Sequence, residues 1–491
     1  MSDQYICVLD EGTTSTRAML FTLDGKPSGT AQAELTQYYP QDGWVEHDAA
    51  EIRDRTLACA REMVARAGGA DRIAAIGITN QRETVVAWDR QTGEPLTRAI
   101  VWQDRRTADF CARLKARGHE EAVRSKTGLL LDPYFSATKM RWMLDNVAEV
   151  RAAAEQGRLA FGTVESWLVW CLSGGSDHVS DASNASRSLL LPLEGDSWDE
   201  GLCELFGVPL AALAKVVDCA GTIAETAPEL FGRAIPICGM AGDQQAATIG
   251  QGCLEPGATK ATYGTGAFIL ASTGTQVPHS DNRLLGTVLT QIGGARTYAL
   301  EGSVFVAGSL IQYLRDTLGL IASAGETEAL ARSVTDSGGV VVVPALSGLG
   351  APHWRPEARG SITGLSFASS KAHVVRASLE AMAHQTRDLA AAFAADGARW
   401  RGIRIDGGMA ANDWMAQDIA DILQLPVTRP HFVETTALGA AILAGLGCGA
   451  YPTLAEAATA MTGAADTFTP EMAPSTRAAR LANWERALAK V

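Results

Sequence analysis

The sequence predicts an α/β fold made of two related halves with a cleft between them, and three observations carry that expectation. A strand–turn–strand motif rich in glycine and threonine occurs twice. Near the start, Ile6-Cys7-Val8-Leu9 runs into Asp10-Glu11-Gly12-Thr13-Thr14-Ser15-Thr16-Arg17; halfway along, Ala258-Thr259-Lys260-Ala261-Thr262 runs into Tyr263-Gly264-Thr265-Gly266, and apolar residues follow each turn. Buried-strand runs alternate with helical patterns in both halves. The chain has 491 residues, more than one ordinary core holds.

The elements follow in order. Asp48 and Glu51 read as a capping box opening a helix that runs to about residue 67. Residues 73–79 form an apolar run suited to a buried strand. Residues 84–88 and 96–102 flank the turn-rich stretch 89–95, a hairpin-like loop. In the second half, residues 340–343 are four valines in a row, a buried-strand run. Val375, Leu379, Met382, Thr386, Leu389 and Phe393 recur at helical spacing and mark one face of a helix. Arg404-Ile405-Asp406 leads into Gly407-Gly408, and a helix follows from about Asn412. Residues 436–445 read as a helix with Ala and Gly on most faces, which permits close packing. The boundary between the halves falls within 250–257, giving domains 1–250 and 251–491.

Composition narrows the class. Hydrophobic residues make up 47% and charged residues 20%, the balance of a folded globular chain. The formal net charge of −13 argues against nucleic acid or an acidic membrane surface as the main partner. It does not oppose an anionic substrate, since local arginines and Mg²⁺ reverse the field inside a cleft. Nine cysteines lie scattered from Cys7 to Cys448 without a Cys-x-x-Cys pair, so neither a disulfide framework nor a zinc site is expected. The N-terminus carries no basic-then-apolar signal, and the small-and-apolar stretch 437–450 is too short to span a bilayer. A reducing cytoplasm is the expected compartment, with no membrane insertion.

Several segments carry chemistry, each with a plainer alternative. Glycine–threonine turns present backbone N–H groups and hydroxyls to one point, as a phosphate requires. Asp10 ends a strand where a carboxylate holds Mg²⁺ or its water shell. Thr13, Thr14 and Ser15 supply donors, and Arg17 adds a fixed positive charge; an ordinary polar hairpin fits the same residues equally well. The stretch is not a P-loop, because Gly-x-x-x-x-Gly-Lys-Ser/Thr is absent. Asp243, between a strand and a helix-like run, reads as a helix N-cap or as a general base for an alcohol. The two are compatible, since a helix N-terminus favours the ionised carboxylate. Arg82-Glu83 at a strand end is surface polarity or a set of partners for neighbouring hydroxyls. Tyr134 is a loop aromatic or a phenolic donor. Gly407-Gly408 before Asn412 is a simple turn or bare backbone for a nucleotide to approach.

Taken together, these segments resemble the FGGY carbohydrate kinases over nearly the whole chain and in the family's order. The likeness extends through Gly43-Trp44-Val45-Glu46-His47-Asp48, Gly77-Ile78-Thr79-Asn80-Gln81-Arg82-Glu83-Thr84, Val101-Trp102-Gln103, Ser183-Asn184-Ala185-Ser186-Arg187, Gly348-Leu349-Gly350-Ala351-Pro352 and Thr436-Ala437-Leu438-Gly439-Ala440-Ala441. The resemblance implies two actin-like (ribonuclease H-like) ATPase domains with the active site in the interdomain cleft. It implies transfer of the ATP γ-phosphoryl to the terminal hydroxyl of glycerol, giving sn-glycerol 3-phosphate and ADP. By the same resemblance, Thr13, Thr14, Ser15 and Arg17 match phosphate contacts. Arg82, Glu83, Tyr134, Asp243 and Gln244 match polyol contacts, with Trp102 and Phe268 as apolar walls. Thr265, Gly308, Gln312, Gly408 and Asn412 match nucleotide contacts, and Asp243 matches the catalytic base. Assembly as a homodimer or homotetramer is also implied.

Two readings compete with glycerol: a kinase for another polyol or ketose such as erythritol or xylulose, and a nucleotide-switched binding protein with no small acceptor. Two departures stand out. Glu11 lies where members acting on glycerol usually carry Gln, adding a negative charge beside the phosphate turn. The stretch 226–236 lacks the full glycine-rich, arginine-bearing loop that binds fructose 1,6-bisphosphate in some members; only Gly232-Arg233 is similar. Glu229 stands about where others carry a phosphorylated histidine. Neither form of control is expected.

Overall fold

In the computed structural model, which describes residues 4–355 and 357–491, the two glycine–threonine motifs form matching antiparallel hairpins. Tyr5–Glu11 pairs with Ser15–Thr22, and Ala258–Tyr263 pairs with Ala267–Gly274. Each hairpin begins a mixed sheet of the same plan. In the N-terminal sheet Pro27–Glu34 adds antiparallel on the Ser15–Thr22 side, while Ile73–Asn80 and Pro236–Gly242 add in parallel on the other. In the C-terminal sheet Ala295–Val304 adds antiparallel, and Gly402–Asp406 and Val427–Pro430 add in parallel. Both sheets therefore run third-second-first-fourth-fifth, with one further edge strand on the first and two on the second. The doubled topology is the structural counterpart of the doubled motif.

The strand period of two sorts side chains onto the sheet faces. Cys7 and Leu9 face the helix Ala49–Ala67, in one apolar cluster with Ile52, Ala60 and Met63. Ile6 and Val8 face the other way, onto the helices Asp243–Gly250 and Thr435–Gly447. These two helices pack backbone to backbone. A Cβ at Gly439 would lie 1.8 Å from the Ala246 carbonyl oxygen, and one at Gly250 would lie 1.9 Å from that of Thr435. The small residues seen in the sequence are what permit this approach.

Several local expectations need correction. Asp48 caps its helix, accepting from Ala50 N and Glu51 N, but Glu51 turns away to bind Thr36, so only half the capping box forms. The stretch 89–95 turns back as expected, with Leu96 N donating to Ala87 O; Val86–Asp89, however, takes Leu159–Gly162 as its strand partner. Val341–Val343 pairs only with the short strand Ser361–Thr363 and joins neither main sheet. The long helix Lys371–Ala395 buries all six of the residues that predicted it. No helix among the described residues is long and apolar enough to cross a membrane.

Candidate active site

Arg82, Glu83 and Tyr134 meet Asp243 around a buried ion cluster. The parallel strand Ile73–Asn80 delivers Arg82 and Glu83 just past its C-terminal end, where open α/β sheets place ligands. Glu83 takes a left-handed backbone with φ of 62°. Arg82 lies 3.2 Å from Asp243 Oδ1, and its Nη2 donates to the Tyr134 hydroxyl at 3.3 Å. Asp243 is more open than its charged neighbours, with 35% of its side chain exposed, against 2% for Arg82 and 1% for Glu83. It is the first residue of its helix and not the cap; that place belongs to Gly242, whose N–H donates to Ser183 Oγ. Gln244 N donates back to Asp243 Oδ1 at 2.7 Å, so the helix start still stabilises the charge.

Three residues to which the sequence motifs assign no role complete this cluster. Glu301, from the strand Ala295–Val304, accepts from Arg82 Nη1 at 2.6 Å and Nη2 at 3.2 Å. Arg187 donates to Glu83 at 2.7 Å and to Glu301 at 3.1 Å. Lys260, fully buried, donates to Gln244 Oε1 at 2.5 Å. Burial alone would raise the Glu301 carboxyl, but Arg187 and Arg82 outweigh it and hold it down to about 2. Removing one partner from such a cluster strands a buried charge, at a cost of about 3–5 kcal/mol. The available signal was a lone charge inside an apolar strand, as in Ala299-Leu300-Glu301-Gly302.

The first turn lies beside this cluster through Trp102. Its indole Nε1 donates to Thr13 Oγ1 at 2.9 Å, and its ring meets Tyr134 edge-on at 5.7 Å between centroids. Gly12 N is used within the turn, donating to Ser15 O, and Ser15 Oγ accepts from Gln32. Thr14 is exposed. Arg17 donates to Asp10 at 2.9 Å and to Glu434 at 2.7 Å, so a phosphate would meet an arginine already held by two carboxylates. Burial pushes the Asp10 carboxyl up to about 6 against the pull of Arg17, with the charges of Glu434 and Asp243 adding to the rise.

Glu11 points away from the turn. One residue on from Asp10, it takes the opposite sheet face and is fully buried against the helix Ala49–Ala67. The Thr56 hydroxyl lies 2.7 Å from both Glu11 Oε2 and the Ile52 carbonyl. The hydroxyl has one proton for these two acceptors, so the Glu11 carboxyl receives at most a shared hydrogen bond from Thr56. Burial raises its carboxyl to about 8, against hydrogen bonds from Thr16 and Thr56. Glu11 is thus neutral near pH 7 and adds no charge beside the phosphates.

The second turn stacks on the short helix Gly308–Gln312: Gly308 N donates to Gly264 O and Ser309 N to Thr265 O. Together they border a cavity of about 610 Å³ whose lining includes Thr265, Gly308, Gln312, Gly408 and Asn412, all five residues expected at the nucleotide. Asn412 caps the helix Asp413–Leu423, accepting from Met415 N at 2.9 Å. The two glycines differ. Gly407 has φ of 88°, and a Cβ there would meet the Tyr263 carbonyl oxygen at 2.5 Å, so the backbone demands glycine. Gly408 has no atom within 4 Å of such a Cβ and leaves the cavity wall bare. Phe268, half-buried on the second hairpin, sits opposite Ser303 in the sheet. Arg233, from the departing stretch, is exposed and pairs with Asp71 at 2.7 Å.

A doubled actin-like fold with a glycine–threonine turn in each half and an ion cluster joining the two sheets marks a class of phosphotransferases. The chain belongs to the FGGY family of carbohydrate kinases: the N-terminal domain model matches residues 5–250 and the C-terminal domain model residues 259–448. Among its relatives it is 54% identical to a glycerol kinase of Rhodospirillum rubrum, covering 99% of each chain. It is also 54% identical to a glycerol kinase of Alcanivorax borkumensis, covering 99% of this chain and 98% of that one. Among solved structures it is similar to Plasmodium falciparum glycerol kinase with ADP, with a TM-score of 0.94, 32% identity, and coverage of 99% of this chain and 98% of that one.

Proposed function

We propose that this protein phosphorylates the terminal hydroxyl of glycerol with ATP, giving sn-glycerol 3-phosphate and ADP. The observation that carries the reading is the acceptor cluster itself. Arg82, Glu83, Tyr134 and Asp243 offer pre-placed hydrogen-bond partners to a small, fully hydroxylated substrate, as selectivity for such a molecule requires. The whole-chain similarity to glycerol kinases supports the same choice. Residues 1–250 would hold polyol and phosphates, and residues 251–491 the nucleotide.

Asp243 is the general base. It is open to the cleft and held at a helix start, where it takes the proton of the attacking hydroxyl. Arg82, Glu83, Tyr134 and Gln244 orient the acceptor, with Trp102 and Phe268 against its carbons. The adenine nucleotide lies in the cavity bordered by Thr265, Gly308, Gln312, Gly408 and Asn412. Thr13, Thr14, Ser15 and Arg17 meet the transferring phosphoryl, where alignment and charge stabilisation supply most of the catalysis. The Trp102–Thr13 hydrogen bond ties the acceptor wall to that turn. Arg17 exchanges a carboxylate partner for phosphate oxygen.

Among the described residues no three His, Cys, Asp or Glu side chains converge as a metal cage. That fits Mg²⁺ in this chemistry, which keeps its waters and needs only one or two carboxylates besides the phosphates. Asp10, with Asp243 nearby, is the residue that would hold it. Bound there, Mg²⁺ supplies positive charge to the phosphate oxygens. We read the protein as a cytoplasmic homodimer or homotetramer, which cell fractionation and sedimentation would check.

The test is a coupled ADP-release assay with glycerol. A rate no higher than the substrate-free background refutes the reading. Catalytic efficiency favouring erythritol or xylulose over glycerol on a substrate panel would move the assignment to another polyol or ketose.

A further inference from the structure

Glu301 enters the buried ion cluster around Arg82 from the C-terminal sheet, as Lys260 does, and has no assigned contact with either substrate. Its carboxylate spans two nitrogens of Arg82, at 2.6 Å and 3.2 Å. Such a two-point grip fixes the plane of a guanidinium as well as its position. With both Nη atoms engaged, Nε is left to face Asp243 Oδ1, at 3.2 Å, while Nη2 also donates to the Tyr134 hydroxyl, at 3.3 Å. The grip is itself braced: Arg187 joins Glu301 to Glu83, binding both carboxylates at 3.1 Å and 2.7 Å. Only 2% of the Glu301 side chain is exposed, so water does not compete for Arg82 there. Without Glu301, the anions left near Arg82 are Glu83, at 3.8 Å, and Asp243. The guanidinium, which already meets Asp243 Oδ1 through Nε, would then turn a second nitrogen onto Asp243 and engage both oxygens of the carboxylate that must receive the hydroxyl proton.

We propose that Glu301 is a positioning residue for the acceptor site: by holding Arg82 from the opposite half of the molecule, it sets the hydroxyl-binding geometry and limits Arg82 to a single contact with Asp243. The inference rests on the glycerol-phosphorylating function proposed above. It makes the acceptor pocket a property of both halves, since the residue that orients Arg82 lies 219 residues away on the second sheet.

The test is steady-state kinetics of Glu301→Gln with both substrates varied. The KM for glycerol is expected to rise by about tenfold or more, while the KM for ATP stays within about twofold; misplacing a reacting group by an ångström costs on the order of a hundredfold. An unchanged glycerol KM overturns the inference. So does a parallel rise in both KM values, which marks general loosening. Glu301→Gln combined with Arg187→Met restores the net charge of the cluster but not the grip, and its glycerol KM is expected to stay high. A return to the wild-type value assigns the effect to charge alone and overturns positioning. If Glu301→Gln does not fold, Glu301→Asp keeps the charge and withdraws it by one methylene, with the same expected split and the same refutation. Wild-type enzyme that ignores glycerol refutes the function and this inference with it. Wild-type enzyme that responds, alongside an unmoved Glu301→Gln, refutes the inference alone.

Discussion

Replacing Glu11 by Gln should stabilise the protein, and the gain should depend on pH. Glu11 is fully buried, and its carboxyl is raised from an ordinary 4.5 to about 8. A carboxyl raised in this way contributes stability that is fully present below pH 4.5 and is lost as pH rises through about 8. At pH 7 the unfolded chain has ionised Glu11 and the folded chain has not. At about 1.4 kcal/mol for each pH unit above the unfolded value, holding it neutral costs about 3 kcal/mol at pH 7 and less than about 1 kcal/mol at pH 5. Gln cannot ionise and keeps an acceptor for Thr56. The stability difference between Glu11→Gln and wild type should therefore grow by about 2–3 kcal/mol from pH 5 to pH 7 and level off above about pH 8. Comparing pH values cancels any fixed packing difference between Gln and Glu. Urea unfolding of both proteins at pH 5, 6, 7 and 8 reads this directly. A difference that stays constant over that range would show that Glu11 is ionised in the folded state and would refute the reasoning.

The other predictions address catalysis and packing. Asp243→Asn should retain ATP binding and lose about 10²- to 10⁴-fold in turnover, the usual worth of a general base; undiminished turnover in the coupled assay removes Asp243 from that role. Glu434→Gln releases one of the two carboxylates on Arg17. A partly exposed pair of this kind is worth up to about 1 kcal/mol, so the KM for ATP should fall by up to about fivefold while that for glycerol holds, and a rise would show that Glu434 assists phosphate binding. Gly439→Ala puts a methyl against the Ala246 carbonyl oxygen at 1.8 Å and should destabilise the protein by about 3 kcal/mol or more, read as a lowered thermal midpoint; an unchanged midpoint would mean that the two helices separate at little cost.

The sequence made the framework legible because strand and turn signals are local. Both hairpins, the strand ending at Asn80 and the long helix Lys371–Ala395 follow from period and turn chemistry that a single segment carries. Pairing is not local, so the valine run 340–343 announced a strand but could not say that its partner is the short Ser361–Thr363. The cap of the Asp243 helix was misassigned because Gly242 has no side chain to advertise the role. Most of the candidate site was named from motifs, and all five residues expected at the nucleotide border one cavity. Glu301 and Lys260 were missed for a physical reason: a charge buried in a strand signals a partner without identifying it, and Arg82 is 219 residues from Glu301. Glu11 was legible and unread. Strand alternation alone puts it on the face opposite Asp10, away from the turn beside which it adds a carboxyl.

The central claim is that the γ-phosphoryl of ATP goes to a bound alcohol and not to water. Phosphorus NMR of a reaction holding the protein, ATP, Mg²⁺ and glycerol separates these fates in one spectrum. The expected result is a phosphomonoester signal of sn-glycerol 3-phosphate growing in step with ADP. Orthophosphate growing in step with ADP, at a rate that glycerol does not change, would contradict the claim and point instead to a nucleotide-hydrolysing switch.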